Sequence, residues 1–401
     1  MTSTGEGLYV GVQEHLARLD AARRMLQDQE LDALCLFGTW WIFYFTGFAY
    51  QPSERPVCVV VPVEGEAAIL VPDLEREHIE GMRATLPRAT TYPEYPGLRR
   101  PMSHLEEMMQ GLGLSAARLG CDSDGYGGMW GSRGPSLSAA LPQAKVANVR
   151  AALEAMRMVK SAAELRAIRE AARFGNLAHR LLQDYTRPGL TEIEIGHRAS
   201  LDASIIVMKA FGPGYSLQTF GGLPAHAGFK AGPDTALPHP LPGARSLQPG
   251  DVLVSWAEVK LDGYHAELER TMILGQPTAE QRRFFDLACQ IQEVGLAAVR
   301  PGGRCADVDR QVRRFAEEQG LTPHLRHHAG HAFGLETHEP PYLDLGDQTE
   351  LVPGMVFSME PGLYVPGVGG FRHSDTVLVT DHGCELLTYY PRDLASLTIP
   401  L

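Results

Sequence analysis

The sequence predicts an α/β domain followed by an α+β domain built from two related halves. Three observations carry that expectation. Up to about residue 150, helix-like and strand-like stretches alternate; beyond it, pairs of helices precede strand-rich stretches. In addition LQPGDVLVSW, which ends at Trp256, is echoed by LVPGMVFSME, which ends at Glu360.

In the first domain EHLARLDAARRMLQDQE has apolar residues at helical spacing, whereas LDALCLFG, PVCVVVPV and EAAILVP read as buried strands. MSHLEEMMQGLG is a further helix, and the aromatic-rich FGTWWIFYFTGFAYQPSERP reads as a loop packing into the core. No acid, base and nucleophile cluster here, which leaves this domain a supporting role. The long helical stretch that follows is interrupted near Val159–Ser161, where Ser161 can cap a new helix with Glu164 three residues on. We set the boundary there, giving an N-terminal domain over 1–155 and a catalytic domain over 156–401.

EIEIGHRASLDASIIVMKA then reads as a helix and DVLVSWAEVKLDGYHAELERTMIL as strands. A second round follows, with helices in AEQRRFFDLACQIQEVGLAAV and CADVDRQVRRFAEEQG and strands in GMVFSMEPGLYV and FRHSDTVLVT. Gly250 to Trp256 and Gly354 to Glu360 span six positions each, with His239 upstream of the first copy and His338 upstream of the second. A duplication of this kind places a pocket between its halves.

The formal net charge of -12 argues against nucleic acid as a partner, since phosphate binding needs a basic footprint. No uncharged apolar run reaches the ~18 residues of a membrane span, and the N-terminus shows no signal-peptide pattern. The 6 cysteines are scattered, which suits a reduced, cytoplasmic setting.

Five stretches, MRMVKSAAELRAIREAA, GPDTALPH, DGYHAELERT, GHAFGLETHEPP and SMEPGLYVPGVGGFRHSD, resemble the pita-bread hydrolases of the prolidase, aminopeptidase P and creatinase branch. The resemblance runs through nearly all of the chain. It implies a creatinase/prolidase-type N-terminal α/β domain, a pita-bread catalytic domain with pseudo-two-fold halves, and a cytoplasmic homodimer. It also implies five metal ligands in the order Asp, Asp, His, Glu, Glu, and these fall on Trp256, Glu267, His331, Glu360 and Ser374. Two ligand positions are therefore lost. An indole has no lone pair to offer a metal, and a neutral hydroxyl is a poor substitute for a bridging carboxylate. Glu267, His331 and Glu360 remain as a possible single site. The expected cofactor is none, or at most one divalent ion such as manganese, zinc or iron. On this reading Trp256 fills the vacated space; alternatively Glu258, two residues on and on the same strand face, supplies a displaced carboxylate.

Without an ion, Glu267 and Glu360 would face each other beside His331, and one of the two should hold a proton near neutral pH. That yields an acid and a base, or a carboxylate nucleophile. By the resemblance His239 and His338 contact the substrate or its leaving group, and Arg372 binds a substrate carboxylate or neutralises the glutamates. Catalytic roles thus fall to His239, Glu267, His331 and Glu360, with His338, Arg372 and Trp256 around the substrate. Glu269 and Arg270 read as structural partners, while His226, His327 and His328 read as loop or supporting residues. Three readings stay open. One is a metal-free or one-metal hydrolase cleaving a C–N bond in a small, cationic substrate. The second is an Xaa-Pro dipeptidase or aminopeptidase whose metal site is rebuilt with Glu258. The third is an inactive relative that binds a small ligand or a protein.

Overall fold

The structure is a computed structural model that describes residues 8–82, 84–126, 134–217, 222–241 and 243–401. It divides into two compact units, the first running to Arg157 and taking in a short segment from Ser216, the second formed by Met158–Tyr215 and Gly222–Leu401.

The first unit runs α1 (Val12–Asp28), β1 (Ala33–Leu36), α2 (Thr39–Thr46), β2 (Cys58–Pro62), β3 (Ala68–Pro72), α3 (Arg76–Glu80) and β4 (Arg88–Tyr92). It continues with α4 (Pro101–Gly111), β5 (Arg118–Cys121), α5 (Leu137–Ala140), β6 (Lys145–Asn148) and α6 (Arg150–Met158). Among the described residues its strands form one mixed sheet in the order β4-β3-β2-β1-β5-β6. Leu34, Cys35, Val60 and Leu70 lie in its buried core. One expectation fails here: Thr39–Thr46 is a helix, not a loop. Gly47 ends it in the left-handed region (φ 77°), its N–H donating to the Phe43 carbonyl. The helix is buried nearly all round, so TWWIFYFT carries no 3.6-residue polar stripe to reveal it.

The second unit opens with α7 (Ala162–Tyr185), α8 (Glu192–Phe211), β7 (Ala225–Ala231), β8 (Val252–Leu261) and β9 (Tyr264–Leu274). Its second round is α9 (Ala279–Ala298), α10 (Cys305–Glu318), β10 (Gly330–Ala332), β11 (Glu339–Leu343), β12 (Val356–Met359), β13 (Gly362–Val365), β14 (Gly369–Arg372) and β15 (Ser374–Thr380). The short β16 (Gly383–Leu386) and β17 (Thr398–Ile399) close the chain. Capping boxes start α7 at Ser161/Glu164, α8 at Thr191/Glu194 and α9 at Thr278/Gln281. Along α7, Ala167, Ile168, Ala171, Ala172, Gly175 and Ala178 are buried at helical spacing, and this small-residue stripe packs closely on β8 and β9.

The sheet of the second unit runs β11-β10-β12-β15-β9-β8-β7. The first three strands of the second round and β15 therefore join the first-round strands at a single seam, where β15 pairs with β9 through Ser374–Glu269 and Asp375–Leu268. Arg270 locks the seam from behind: its buried guanidinium donates to the Ser374 carbonyl at 2.8 Å and to Asp375 Oδ1 at 2.8 Å. Among the described residues no helix is long and apolar enough to cross a membrane.

Candidate active site

An Asp-Gly turn builds the floor of the site. Asp262 and Gly263 join β8 to β9 with positive φ at both residues (48° and 80°), the two-residue turn whose twist suits a hairpin. It fixes a register with Trp256 opposite Glu269 and Glu258 opposite Glu267, and β7 adds Gly228 beside Trp256 and Lys230 beside Val254. Residues two apart share a strand face, so Val254, Trp256, Glu258, Glu267 and Glu269 all floor one cavity of about 650 Å³. The second round contributes His327, His331, His338, Glu360, Tyr364 and Arg372 to its walls, and the loop after Ala236 contributes His239.

Glu267, His331 and Glu360 converge, with one ligand-capable atom from each lying within 4.8 Å of the others. The His331 ring nitrogen Nδ1 faces the Ala332 carbonyl at 3.1 Å, so Nε2 is presented to Glu360 Oε1 at 3.3 Å. Burial opposes charge on both partners, but each stabilises the other: His331 is raised to about 9, and Glu360 is held at about 2 by His331 and by the Arg372 charge. Glu267 moves the other way. Burial, then the Glu360 charge, pushes it up to about 7. The sequence expectation of one carboxylate near neutrality thus falls on Glu267.

The two odd positions are chemically quiet. Ser374 is buried, with its hydroxyl 2.7 Å from that of Ser358, which in turn donates to Glu267 Oε1 at 3.4 Å. Trp256 is half-buried, and its indole lies over Gly228, where an added Cβ would meet Cζ2 at 2.7 Å. The ring therefore walls the pocket on the β7 side.

One expectation is revised. Glu258 lines the cavity but stands outside the Glu267–His331–Glu360 cluster. Its carboxylate faces His265 Nδ1 at 2.6 Å and Lys260 Nζ at 3.4 Å, and these partners outweigh burial and hold it at about 2. Of the two roles expected for Arg372, its contacts match the neutralising of a glutamate. Its guanidinium pairs with Glu269 Oε1 at 2.5 Å and donates to the Tyr364 hydroxyl at 3.2 Å, with His327 Nε2 2.9 Å from the same hydroxyl. His338 stacks on His331 with ring centroids 3.8 Å apart, and His239 stands exposed at the mouth. His373 points away from the cavity, edge-on to Phe285.

Lys230 and Tyr364 are among the lining residues that the sequence does not mark as parts of a site, and Glu269, read from the sequence as a structural partner, lines the cavity as well. Glu269 is legible in principle, being two residues beyond Glu267 on the same strand. Lys230 becomes visible only through the β7–β8 register.

Comparison with known proteins agrees with this architecture. A model of metallopeptidase family M24 matches residues 166–381, and a model of the creatinase/prolidase N-terminal domain matches residues 18–159. YkvY of Bacillus subtilis (strain 168), provisionally named a dipeptidase, is 28% identical over 357 residues, covering 88% of this chain and 92% of its own. Among solved structures, the dipeptidase PepE from Mycobacterium ulcerans is 26% identical with a TM-score of 0.80, covering 97% of this chain and 99% of its own. An Xaa-Pro dipeptidase from Bacillus anthracis is 23% identical with a TM-score of 0.78, over 98% of this chain and 100% of its own, a likeness of fold. The expected two-domain architecture, an α/β domain followed by a pita-bread domain, holds.

Proposed function

The chain belongs to metallopeptidase family M24, a family of peptide-bond hydrolases, and from that premise we propose that it cleaves a C–N bond in a small, cationic substrate through Glu267, His331 and Glu360. The observation that carries this reading is the convergence of those three side chains within 4.8 Å, with an indole and a hydroxyl at the two remaining ligand positions. A two-ion centre does not fit these residues: Trp256 leans over β7, Ser374 is bonded to Ser358, and Glu258 is committed to His265 and Lys260. The rebuilt Xaa-Pro peptidase reading loses its ligand for the same reason. A single divalent ion does fit, because His331 turns Nε2 toward both glutamates. Held by Glu267, His331 and Glu360, such an ion would supply Lewis-acid polarisation of the scissile group.

The chain's own residues supply the proton chemistry. Without an ion, near neutral pH Glu360 is ionised and His331 protonated, while Glu267 is poised between its two forms. Ionised Glu267 takes a proton from the attacking water as the new C–O bond forms. The C–N bond then breaks, and the leaving nitrogen takes that proton back from Glu267. The acidic floor of Glu267, Glu269 and Glu360 favours a positive charge on the substrate, and His239 and His338 close around it from the mouth. A dipeptide belongs in the substrate panel because relatives are named dipeptidases. A cytoplasmic homodimer remains part of this proposal.

The test combines elemental mass spectrometry of the purified protein with turnover of Xaa-Pro dipeptides and guanidino or amidino acids, with and without chelator. At most one ion per chain, together with turnover abolished by Glu360→Gln, is expected. Two tightly held ions per chain, or turnover untouched by that substitution, would overturn the reading.

A further inference from the structure

The cavity floor is charged at both ends, and only one end is used by the chemistry above. Lys230 lies on β7, two strands from Glu267 and four residues along from His226, the β7 residue in Glu267's row. Strand spacing of about 4.8 Å and rise of about 3.4 Å per residue put the two backbone positions about 16 Å apart. The side chains shorten that gap. The Lys230 ammonium leans back toward the centre, 5.6 Å from the centroid of the Trp256 ring.

This ammonium is poorly satisfied. Its side chain is 14% exposed, and its charged neighbour among the described residues is Glu192 Oε1 at 3.8 Å, beyond hydrogen-bond reach. That same oxygen already accepts a hydrogen bond from the Gly243 backbone N–H at 2.7 Å. Among the described residues its donors find no acceptor within hydrogen-bond distance, so they are left to water or to a ligand in the cavity. The other cations of the cavity are differently placed: Arg372 is engaged by Glu269 and Tyr364, and Arg326 is exposed at the rim.

We propose that Lys230, with the Trp256 indole as its wall, binds the carboxylate of a small zwitterionic substrate whose cationic end faces Glu267, Glu269 and Glu360. Gly228 makes the arrangement possible, since any side chain there would push the indole off β7 and away from the ammonium. Lys230 is thus a specificity residue, and the proposal rests on the reading of the cavity as a hydrolase site. It narrows the substrate from a cation to an amino-acid-like zwitterion with its charges at opposite ends.

The test separates binding from turnover. Glycylproline and 4-guanidinobutyrate are titrated calorimetrically into the purified protein, each beside its neutral carboxamide. Wild type is expected to favour at least one carboxylate over its carboxamide by about tenfold, the worth of one good charge-assisted contact. Lys230→Met should bring the two within about twofold by weakening the carboxylate alone, while Lys230→Arg keeps the preference. Thermal melting of both variants guards against misfolding. The proposal is overturned if Lys230→Met leaves carboxylate affinity unchanged, or if wild type shows no carboxylate preference or binds neither pair. Turnover is followed in the same samples: selective binding without any hydrolysis sinks the hydrolase reading and leaves the Lys230 assignment standing.

Discussion

Six residues after a Pro-Gly turn, each half of the second unit delivers a side chain to the same cavity: Trp256 from the first half and Glu360 from the second. The backbones match closely, for Gly250 and Gly354 both take positive φ (90° and 96°) before the strand begins. The chemistry does not match. In the second half the carboxylate is locked to His331. In the first half the indole leans over Gly228, and negative charge is carried one strand over, on Glu267 and Glu269. A duplicated scaffold can therefore keep its turns and registers while one arm loses the carboxylate at its end and retains only those of the neighbouring strand. Turn chemistry and strand pairing are set by local residues, whereas the side chain at the end of the arm is free to change.

The sharpest way to test that asymmetry is to weaken the charged arm. Glu360→Gln removes the partner that keeps His331 protonated and lifts Glu267, so turnover of any identified substrate should fall by about 100-fold or more. Steady-state kinetics with a folded-state control by circular dichroism would check this. Conversely, making the first arm resemble the second should change what the site holds. Trp256→Asp with Ser374→Glu restores carboxylates at both odd positions, and elemental mass spectrometry should find metal rising to about two ions per chain. If the double variant binds no more metal than wild type, the ligand positions have been misassigned.

Buried charge gives the next effect in size. Arg372 faces Glu269 at 2.5 Å in the cavity wall, and Arg372→Met would leave that carboxylate uncompensated. The expected cost is about 3 kcal/mol by urea denaturation, largely recovered when Glu269→Gln is added.

Much of this architecture is legible in the sequence, and the illegible part has a physical cause. The pair Ser161 and Glu164 marks the start of α7 by local capping chemistry alone, and the Asp-Gly pair sets the β8–β9 register in the same local way. The convergence of Glu267, His331 and Glu360 follows from motif order through the family resemblance. What the sequence does not reveal is where a long side chain leans. Glu258 shares a face with Trp256, but a hydrogen bond to His265 decides its direction. Arg372 stands alone in sequence, and its partner Glu269 lies about a hundred positions away on another strand. The helix Thr39–Thr46 is hidden because burial on all sides erases periodicity.

A pH experiment separates the two glutamates. Glu267 is raised to about 7 in the folded chain, so it binds a proton more tightly folded than unfolded. Its contribution to stability is full below the ordinary carboxylate range and is lost as pH rises through about 7. Glu360, held at about 2, has the opposite sign: its contribution is present above the ordinary carboxylate range and is lost as pH falls toward 2. Glu267→Gln should therefore stabilise the protein at pH 8 relative to pH 5 by about 1–3 kcal/mol compared with wild type, a range reduced for the solvent that reaches the cavity. Equal pH dependence of the two proteins in urea melts would show that Glu267 is not the titrating carboxylate.

The smallest expected effect probes the uncharged arm alone. Gly228→Ala adds a methyl group 2.7 Å from Trp256 Cζ2, against a ring that is rigid and has backbone on one side. Crowding of this kind costs about 1–3 kcal/mol. In a Trp256→Ala background that ring contact is gone and the same methyl group should cost less, so a double-mutant cycle isolates the contact. A coupling near zero would mean that the indole does not rest on β7, and the asymmetry between the arms would then have to be carried by the indole's position elsewhere in the cavity.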